Sequence, residues 1–279
     1  MAVRIVTDST VDIAEQYRND FTVVPLTVSF GETVYIDGVT LNKQDFYQKL
    51  VSSAELPKTS QATPDTFGKV FRELQEKGEE AVVITVSSRL SGTYQSARIA
   101  AEDYPNIRVV DSMNVSIASG VLAEYALRCA SDGMGLDELA QHLTQKRDEI
   151  GLVAMVDTLE YLKKGGRISA ATALAGSLLS IKPVITLEDG KVVMAGKARG
   201  SRQGNTLLRE MIQKCGGINF SKPFALAYSG LSDALLQKYI SDCAELWQGQ
   251  AQELPVTTVG CAIGTHVGPG AIAIAFFQK

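Results

Sequence analysis

One of the two histidines of the chain, His266, lies in the glycine-rich segment Gly264–Gly270, just before the apolar run Ala271–Phe277. We expect a loop here, because glycine allows close approach of the backbone. An imidazole held on such a loop is a titratable hydrogen-bond donor, which suits recognition of a small anionic group. Isolated histidines are more often surface or core residues, but glycines on both sides favour a functional role.

A second group of polar residues, Ser87–Ala97, follows an apolar run and opens a predicted helix. Free backbone N–H groups at a helix start favour an anion, and open α/β sheets bind ligands at this end of their strands. Ser91 alone would be read as a helix cap. The several hydroxyl residues crowded into this segment weigh against that simple interpretation and leave an anion site as the alternative.

Two further polar segments are weaker candidates. Lys58–Thr63 lies between two predicted helices, where a solvated loop ending in a cap is the simpler interpretation. Lys163–Ser169 places Arg167 beside a pair of glycines and ahead of a predicted helix. Taken alone, that segment is equally typical of a helix end followed by a new helix.

The first half of the chain predicts a parallel sheet covered by helices. Strands are expected at Val3–Thr7, Thr22–Val28, Ala81–Val86 and Ile107–Val110, and helices beginning near Asn42, Thr63, Ser91 and Val115. The helix at Thr63 has the best-defined start, since Thr63 can cap it and Pro64 suits its first position. Its apolar face would contain Phe67, Val70, Phe71 and Leu74.

The second half predicts a different arrangement. Helices are expected at Tyr161-Leu162, Ser169–Ile181, Ser201–Lys214 and Ser232–Trp247, a hairpin at Pro183–Leu187 and Lys191–Ala195 around Asp189-Gly190, and further strands at Phe224–Tyr228, Val256–Val259 and Ala271–Phe277. The chain is therefore predicted to be an α/β protein of two domains. These are an N-terminal parallel-sheet α/β/α domain, residues 1–150, and a C-terminal α+β domain with a mixed sheet, residues 151–279.

Composition narrows the classes of function. The 279 residues are 45% hydrophobic with a net charge of −4, and no basic stripe supports binding to nucleic acid. The four cysteines are far apart, contain no C-x-x-C pair and have no histidine near them, which argues against a structural zinc site. The start of the chain reads as a strand, and no run approaches the roughly 20 apolar residues that span a bilayer. We therefore expect a cytoplasmic protein with reduced thiols.

In their order and in their residue patterns, these segments resemble the DegV family across essentially the whole chain. The resemblance rests on Val6-Thr7-Asp8-Ser9-Thr10, Lys58-Thr59-Ser60-Gln61, Ser91-Gly92-Thr93-Tyr94-Gln95-Ser96-Ala97, Val109-Val110-Asp111-Ser112, Gly165-Gly166-Arg167-Ile168 with Lys182-Pro183, and His266-Val267-Gly268-Pro269-Gly270. It implies a two-domain fold that encloses one long-chain fatty acid, such as palmitate, in a tunnel between or beside the domains. It implies no metal and no cofactor other than that ligand.

The resemblance also implies roles for individual residues. The fatty-acid carboxylate would be surrounded by Thr59, Ser60, Ser91, Gly92, Thr93 and His266. The protein would not itself be an enzyme, but would present this carboxylate to a separate fatty acid kinase subunit, which forms the acyl phosphate used in phospholipid metabolism. Transient contact with a membrane surface is compatible with that role. Arg167, Arg199 and Arg202 are candidates for supporting the head group or the partner, although the segment after Arg199 has fewer cations than the family pattern.

The two ends of such a ligand contribute differently to the free energy of binding. Burying about 14 methylenes at roughly 0.8 kcal/mol each contributes on the order of 11 kcal/mol before ordering costs. A carboxylate removed from water instead loses hydration and needs several hydrogen-bond donors to compensate. We expect the apolar walls, from Ala171–Leu179 and Ile117–Leu127, to set affinity and the polar segments to set orientation.

Two alternatives remain open. A serine hydrolase could use Ser91 as nucleophile, His266 as base and Asp8 or Asp111 to orient it, although the chain has no G-x-S-x-G elbow. A nucleotide or sugar-phosphate binder would also use strands that lead into helix N-termini, but both G-x-x-x-x-G-K-[ST] and G-x-G-x-x-G are absent.

Overall fold

The computed structural model describes residues 2–169 and 181–279. The predicted helix Ser169–Ile181 and the predicted wall Ala171–Leu179 lie outside the described residues, apart from Ser169 and Ile181 at the two ends of that helix. No helix in the described ranges is long and apolar enough to cross a membrane.

Strands and helices of the described residues are numbered here in chain order. The strands are β1 (Arg4–Asp8), β2 (Thr22–Val24), β3 (Thr27–Phe30), β4 (Thr33–Ile36), β5 (Lys58–Ser60), β6 (Ala81–Thr85), β7 (Ile107–Asp111), β8 (Ile150–Met155), β9 (Ile181–Glu188), β10 (Lys191–Arg199), β11 (Phe224–Tyr228), β12 (Val256–Thr258) and β13 (Ile272–Phe277). The helices are α1 (Lys43–Ser52), α2 (Pro64–Glu76), α3 (Thr93–Ala101), α4 (Ile117–Ser131), α5 (Leu136–Lys146), α6 (Glu160–Lys164), α7 (Gly200–Lys214), α8 (Ala234–Asp242) and α9 (Cys261–Val267).

The first sheet has the order β2-β1-β6-β7, and all its pairs are parallel. Every residue of β6 is buried, as expected of a parallel strand with helices on both faces. The predicted start of α2 is confirmed, since the Thr63 side chain accepts a hydrogen bond from the Thr66 N–H and Pro64 opens the helix. Its residues Phe67, Phe71 and Leu74 are buried in the core beneath this sheet.

The prediction of one strand over Thr22–Val28 is wrong. Pro25 has no N–H group and interrupts the ladder, so β2 stays in the parallel sheet while β3 joins a small antiparallel sheet of order β4-β3-β5. The segment Lys58–Ser60, predicted to be a loop, is the third strand of that sheet. Because neighbouring residues of a strand face opposite ways, Thr59 shares a face with Val28, which is fully buried, whereas Ser60 faces outward and is exposed.

The third sheet is mixed, with the order β10-β9-β8-β13-β11-β12. The pair β11–β12 is parallel and the others are antiparallel. The predicted hairpin is confirmed as β9 and β10, with Asp189 at φ 48° and Gly190 at φ 72° in the turn. The α/β fold with one parallel and one mixed sheet is thus confirmed, while the domain division between residues 150 and 151 stays a prediction.

His266 lies in helix α9, so the prediction of a loop at Gly264–Gly270 is wrong for its first part. The helix ends at Gly268, whose φ of 71° favours glycine. Gly264 lies against α1, where a Cβ atom would come within 2.6 Å of the Phe46 ring. The glycines therefore do serve close packing, but of a helix rather than of a loop.

Candidate ligand-binding site

A cavity of about 420 Å³ lies between the mixed sheet and helix α9, within the range typical of small-molecule sites. Most of its lining is aliphatic. The described apolar lining residues are Leu26, Val86, Leu90, Val115, Leu152, Ala154, Leu162, Ile185, Val192, Ala227, Val259, Ala262, Ile263, Val267, Ala271, Ile272 and Ala273.

Part of the cavity wall is a row of small residues across the mixed sheet. Ala154 of β8 pairs with Ala273 of β13, which pairs in turn with Ala227 of β11. These three side chains point to the same face of the sheet and all line the cavity. Because alanine side chains are short, they leave space above this part of the sheet, and that space is part of the cavity.

The polar residues Thr59, Ser60, Gln61, Ser91, Gly92, Arg167 and His266 line the same cavity. Of the described lining residues, Arg167 alone carries a fixed charge, and none is acidic. An anionic group therefore finds one cation and no opposing carboxylate among these residues.

His266 and Thr59 form the centre of this polar cluster. The His266 Nε2 and Thr59 Oγ1 atoms are 2.8 Å apart, which brings α9 against strand β5. Burial, followed by the charge of Arg167, lowers the pKa of His266 to about 4. The imidazole is accordingly neutral at neutral pH and acts through hydrogen bonds rather than through charge.

Arg167 is held at the cluster by two backbone carbonyls. Its Nε donates to Leu90 O at 3.2 Å and its Nη1 to Gly165 O at 2.5 Å. Leu90 precedes Ser91, and Gly165 lies directly against the His266 ring, where it leaves no room for a Cβ atom. The segment Lys163–Ser169 therefore brings a guanidinium, a serine-bearing turn and the imidazole together.

The serine-rich segment opens helix α3. Ser91 Oγ lies 2.9 Å from Thr93 Oγ1 and accepts a hydrogen bond from the Thr93 N–H at 3.2 Å. Thr93 is fully buried behind Ser91 and is not among the cavity-lining residues. Five of the six residues predicted around a carboxylate thus line the cavity, and Thr93 orients one of them.

Sequence reasoning missed Gln61 as a site residue. Its Nε2 donates to Ser96 Oγ at 2.9 Å, and its side chain lies against Gly92, where a Cβ atom would overlap it. The signal was present, because Gln61 closes the polar run that contains Thr59 and Ser60. Thr10 and Ser116, which follow β1 and precede α4, also line the cavity and were not predicted.

Other predicted residues lie elsewhere. Arg199 is exposed just before α7, and Arg202 lines a separate cavity of about 260 Å³ together with Arg209 and Asp242. The predicted wall Ile117–Leu127 belongs instead to the core of the protein, where Ile117 and Leu122 are fully buried. Two residues that directly precede this segment, Val115 and Ser116, line the cavity.

A hydrolase triad is not assembled among the described residues. Ser91 is hydrogen-bonded to Thr93, and His266 to Thr59, rather than to each other. Asp8 accepts hydrogen bonds from the N–H groups of Thr10 and Val86, whereas Asp111 accepts from Ser88 and Met113. An imidazole with a pKa near 4 would also be a weak general base at neutral pH.

Known proteins are similar to this chain over its whole length. The chain is 33% identical to a DegV domain-containing protein of Caldanaerobacter subterraneus subsp. tengcongensis, over 99% of both chains. A fatty-acid-binding DegV family protein from Thermus thermophilus superposes with a TM-score of 0.88 at 31% identity, covering 100% of both chains. A stearic-acid-binding protein from Eubacterium ventriosum superposes with a TM-score of 0.86 at 28% identity, covering 99% of this chain and 98% of that one.

The model of the DegV family matches residues 2–279. That match covers all three sheets and every residue of the polar cluster described above. The chain belongs to the DegV family.

Proposed function

We propose that this protein binds one long-chain fatty acid, such as palmitate, with its hydrocarbon tail in the aliphatic cavity and its carboxylate at the polar cluster. The observation that carries the proposal is the composition of the cavity, in which a largely aliphatic lining meets a cluster of hydrogen-bond donors with a single fixed positive charge among the described lining residues. Fatty acids have the same division into an apolar tail and an anionic head. The solved relatives described as fatty-acid-binding and stearic-acid-binding proteins support the same ligand class.

The tail supplies most of the affinity. About 14 methylenes at roughly 0.8 kcal/mol each give on the order of 11 kcal/mol before the costs of association. Ala154, Ala227 and Ala273 contribute only methyl groups to the wall, so this part of the wall has no polar side chain to desolvate. Removing one head-group donor therefore leaves most of the binding free energy in place.

The head group is held by neutral donors and one cation. Thr59, Ser91 and His266 offer hydroxyl and imidazole hydrogen bonds, and the Arg167 guanidinium offsets the negative charge. A neutral imidazole can donate from one nitrogen while its other nitrogen remains an acceptor. We expect Thr59 to relay such a bond to the carboxylate, since its hydroxyl can both accept and donate.

We further propose that the protein is a binding subunit rather than an enzyme, and that it presents the carboxylate to a separate kinase subunit for acyl-phosphate formation. Ser60 and Gly92 are both exposed and both line the cavity, so the carboxylate end is accessible from outside. The lack of a hydrogen-bonded triad among the described residues favours this role over ester hydrolysis.

The test is mass spectrometry of the intact protein and of its organic extract. We expect one fatty acid per chain after purification, or after delipidation and addition of palmitate. Ala273→Leu fills the cavity and should lower the occupancy, whereas Ala54→Leu makes the same change at an exposed position and should not. Protein that neither carries a stoichiometric fatty acid nor takes up palmitate would overturn the proposal.

A further inference from the structure

Helix α9 begins at two buried carboxylates that come from distant parts of the chain. Asp12 Oδ1 accepts a hydrogen bond from the Gly260 N–H at 2.7 Å, and Asp37 Oδ2 accepts one from the Ala262 N–H at 3.2 Å. Asp12 lies beyond β1 and Asp37 directly beyond β4, and their exposures are only 4% and 5%. Neither carboxylate lines the cavity that holds His266.

Both carboxylates are themselves held in place. Asp12 Oδ2 accepts from Ser116 Oγ at 2.6 Å, and Lys43 Nζ lies 3.9 Å from Asp12 Oδ1. Asp37 Oδ2 also accepts from Ser9 Oγ at 2.9 Å. Burial raises the pKa of each carboxyl, which means that keeping them ionised in the folded protein opposes folding. Groups retained at such a cost are concentrated at functional sites.

The helix between these carboxylates and His266 is short and closely packed. Ala262 and His266 are four residues apart, so they lie on the same face of α9. Gly264 packs against the rings of Phe46 and Tyr47, and the Tyr47 hydroxyl donates to Val259 O at 3.1 Å. A shift of the first turn of α9 is therefore passed to the imidazole, because no flexible segment separates the two.

We infer that Asp12 and Asp37 are positioning residues, which through the hydrogen bonds they accept from α9 hold His266 Nε2 at Thr59 Oγ1. The inference rests on the proposed function only in assigning that imidazole–threonine pair to a fatty-acid carboxylate. The acceptor oxygens, and not the negative charges, are the required feature. Asparagine keeps one such oxygen at each site, while alanine removes both.

The two histidines make the test direct. Labelling histidine rings for NMR gives two imidazole signals, and His142→Gln identifies the one that belongs to His142. In the lipid-free wild-type protein we expect His266 to keep its pKa near 4. In Asp12→Ala and Asp37→Ala we expect this pKa to rise by about two units toward the ordinary value of 6.5, as the ring leaves its buried position.

The direction of that change separates positioning from electrostatics. Loss of a negative charge on its own lowers the pKa of a histidine, since it disfavours the imidazolium. Asp12→Asn and Asp37→Asn replace the ionisable carboxyl by a neutral amide that keeps an acceptor, and their His266 pKa should stay near 4. Glu124→Gln is the matched control, because Glu124 is a buried carboxylate that pairs with Arg128 on α4, away from α9.

Folded alanine variants whose His266 pKa stays near 4, or asparagine variants that raise it as far as alanine does, would overturn the inference. If both alanine variants fail to fold, Ser9→Ala removes the hydroxyl that donates to Asp37 and accepts from the Leu26 N–H, and Ser9→Thr, which keeps a hydroxyl, is its control. Ser9→Ala should raise the pKa of His266 by a smaller amount than the aspartate-to-alanine variants, and Ser9→Thr should leave it near 4. An unchanged pKa in folded Ser9→Ala would then count against the inference in the same way. Because the titration needs no lipid, failure to extract a fatty acid would refute the proposed function without deciding this result.

Discussion

Gly165 lies against the imidazole at the centre of the proposed head-group site. Replacing it with alanine adds one carbon atom, Cβ, next to the His266 ring and so tests the position of that ring. Its backbone angles, φ −73° and ψ −11°, suit alanine as well as glycine. The added Cβ would overlap His266 Nδ1 and lie 2.9 Å from Cε1. The Cβ would also lie 3.1 Å from the Tyr161 carbonyl oxygen, so a small backbone adjustment accompanies the displacement of the ring.

The size of the effect follows from these contacts. Heavy atoms in contact normally lie about 3.5–4.0 Å apart, so relieving the closer overlap, with Nδ1, requires the ring to move by about 1 Å. Such a move takes the 2.8 Å contact between His266 and Thr59 toward the limit of a hydrogen bond at about 3.5 Å. Loss of one donor to a carboxylate costs about 1.5 kcal/mol, or roughly tenfold in affinity. The tail contribution, on the order of 11 kcal/mol, is unaffected.

The assay uses palmitate labelled with carbon-13 at its carboxyl group. In the wild-type protein, we expect the NMR signal of the bound carboxylate to differ from that of the free acid. In Gly165→Ala, the signal should move toward the solvent-exposed position while mass spectrometry still finds the lipid bound. Affinity for palmitate should fall about tenfold.

The adjacent Gly166 is the control. Its φ of 72° makes alanine unfavourable by about 1 kcal/mol, but a Cβ atom there meets no other atom within 4 Å. Gly166→Ala should lower the melting temperature and leave the carboxylate signal unchanged. If Gly165→Ala folds and keeps both the wild-type carboxylate signal and the wild-type His266 signal, the packing argument is refuted.

Three further predictions concern other parts of the site. Ala273→Leu, on the wall between Ala154 and Ala227, should lower the palmitate occupancy measured by intact mass spectrometry and retain shorter fatty acids better; equal occupancy for all lengths would place the tail elsewhere. Arg167→Leu removes the only fixed charge among the described lining residues, so palmitate affinity measured by calorimetry should fall about 10- to 100-fold, and an unchanged affinity would remove Arg167 from the head-group site. Asp12 has its pKa raised from 3.8 to about 6, so its contribution to stability is complete below pH 3.8 and is lost as the pH rises through 6. Lowering the pH from 7 to 5 should therefore raise the free energy of unfolding by about 1 kcal/mol more in the wild type than in Asp12→Asn, as measured by urea titration, and identical pH profiles would contradict the assignment.

Features that depend on neighbouring residues were predictable from the sequence. Thr63 and Pro64 start α2 through local hydrogen bonding and a favourable φ, and Asp189-Gly190 forms its turn because both residues tolerate positive φ. The division of Thr22–Val28 into two strands could also have been predicted, because Pro25 has no N–H group to donate to a neighbouring strand.

Features that depend on residues distant in the chain were not predictable from the sequence. The glycines of Gly264–Gly270 predict a loop, whereas the segment Cys261–Val267 is helix α9. What stabilises its first turn are acceptors on Asp12 and Asp37, which are more than 200 residues away in sequence. The contact of Gln61 with Gly92 is likewise visible only after folding. The motif resemblance led to five lining residues in one cavity, but their role in binding a carboxylate stays a prediction.

Strand β13 occupies an inner position of the mixed sheet, between β8 and β11, although it follows both of them in the chain. During synthesis on the ribosome, β8 and β11 emerge first and have no shared partner until β13 inserts between them. The alanine wall is therefore completed late, and so is the imidazole helix that directly precedes β13. If the cavity binds a fatty acid as proposed, loading therefore has to follow the insertion of β13.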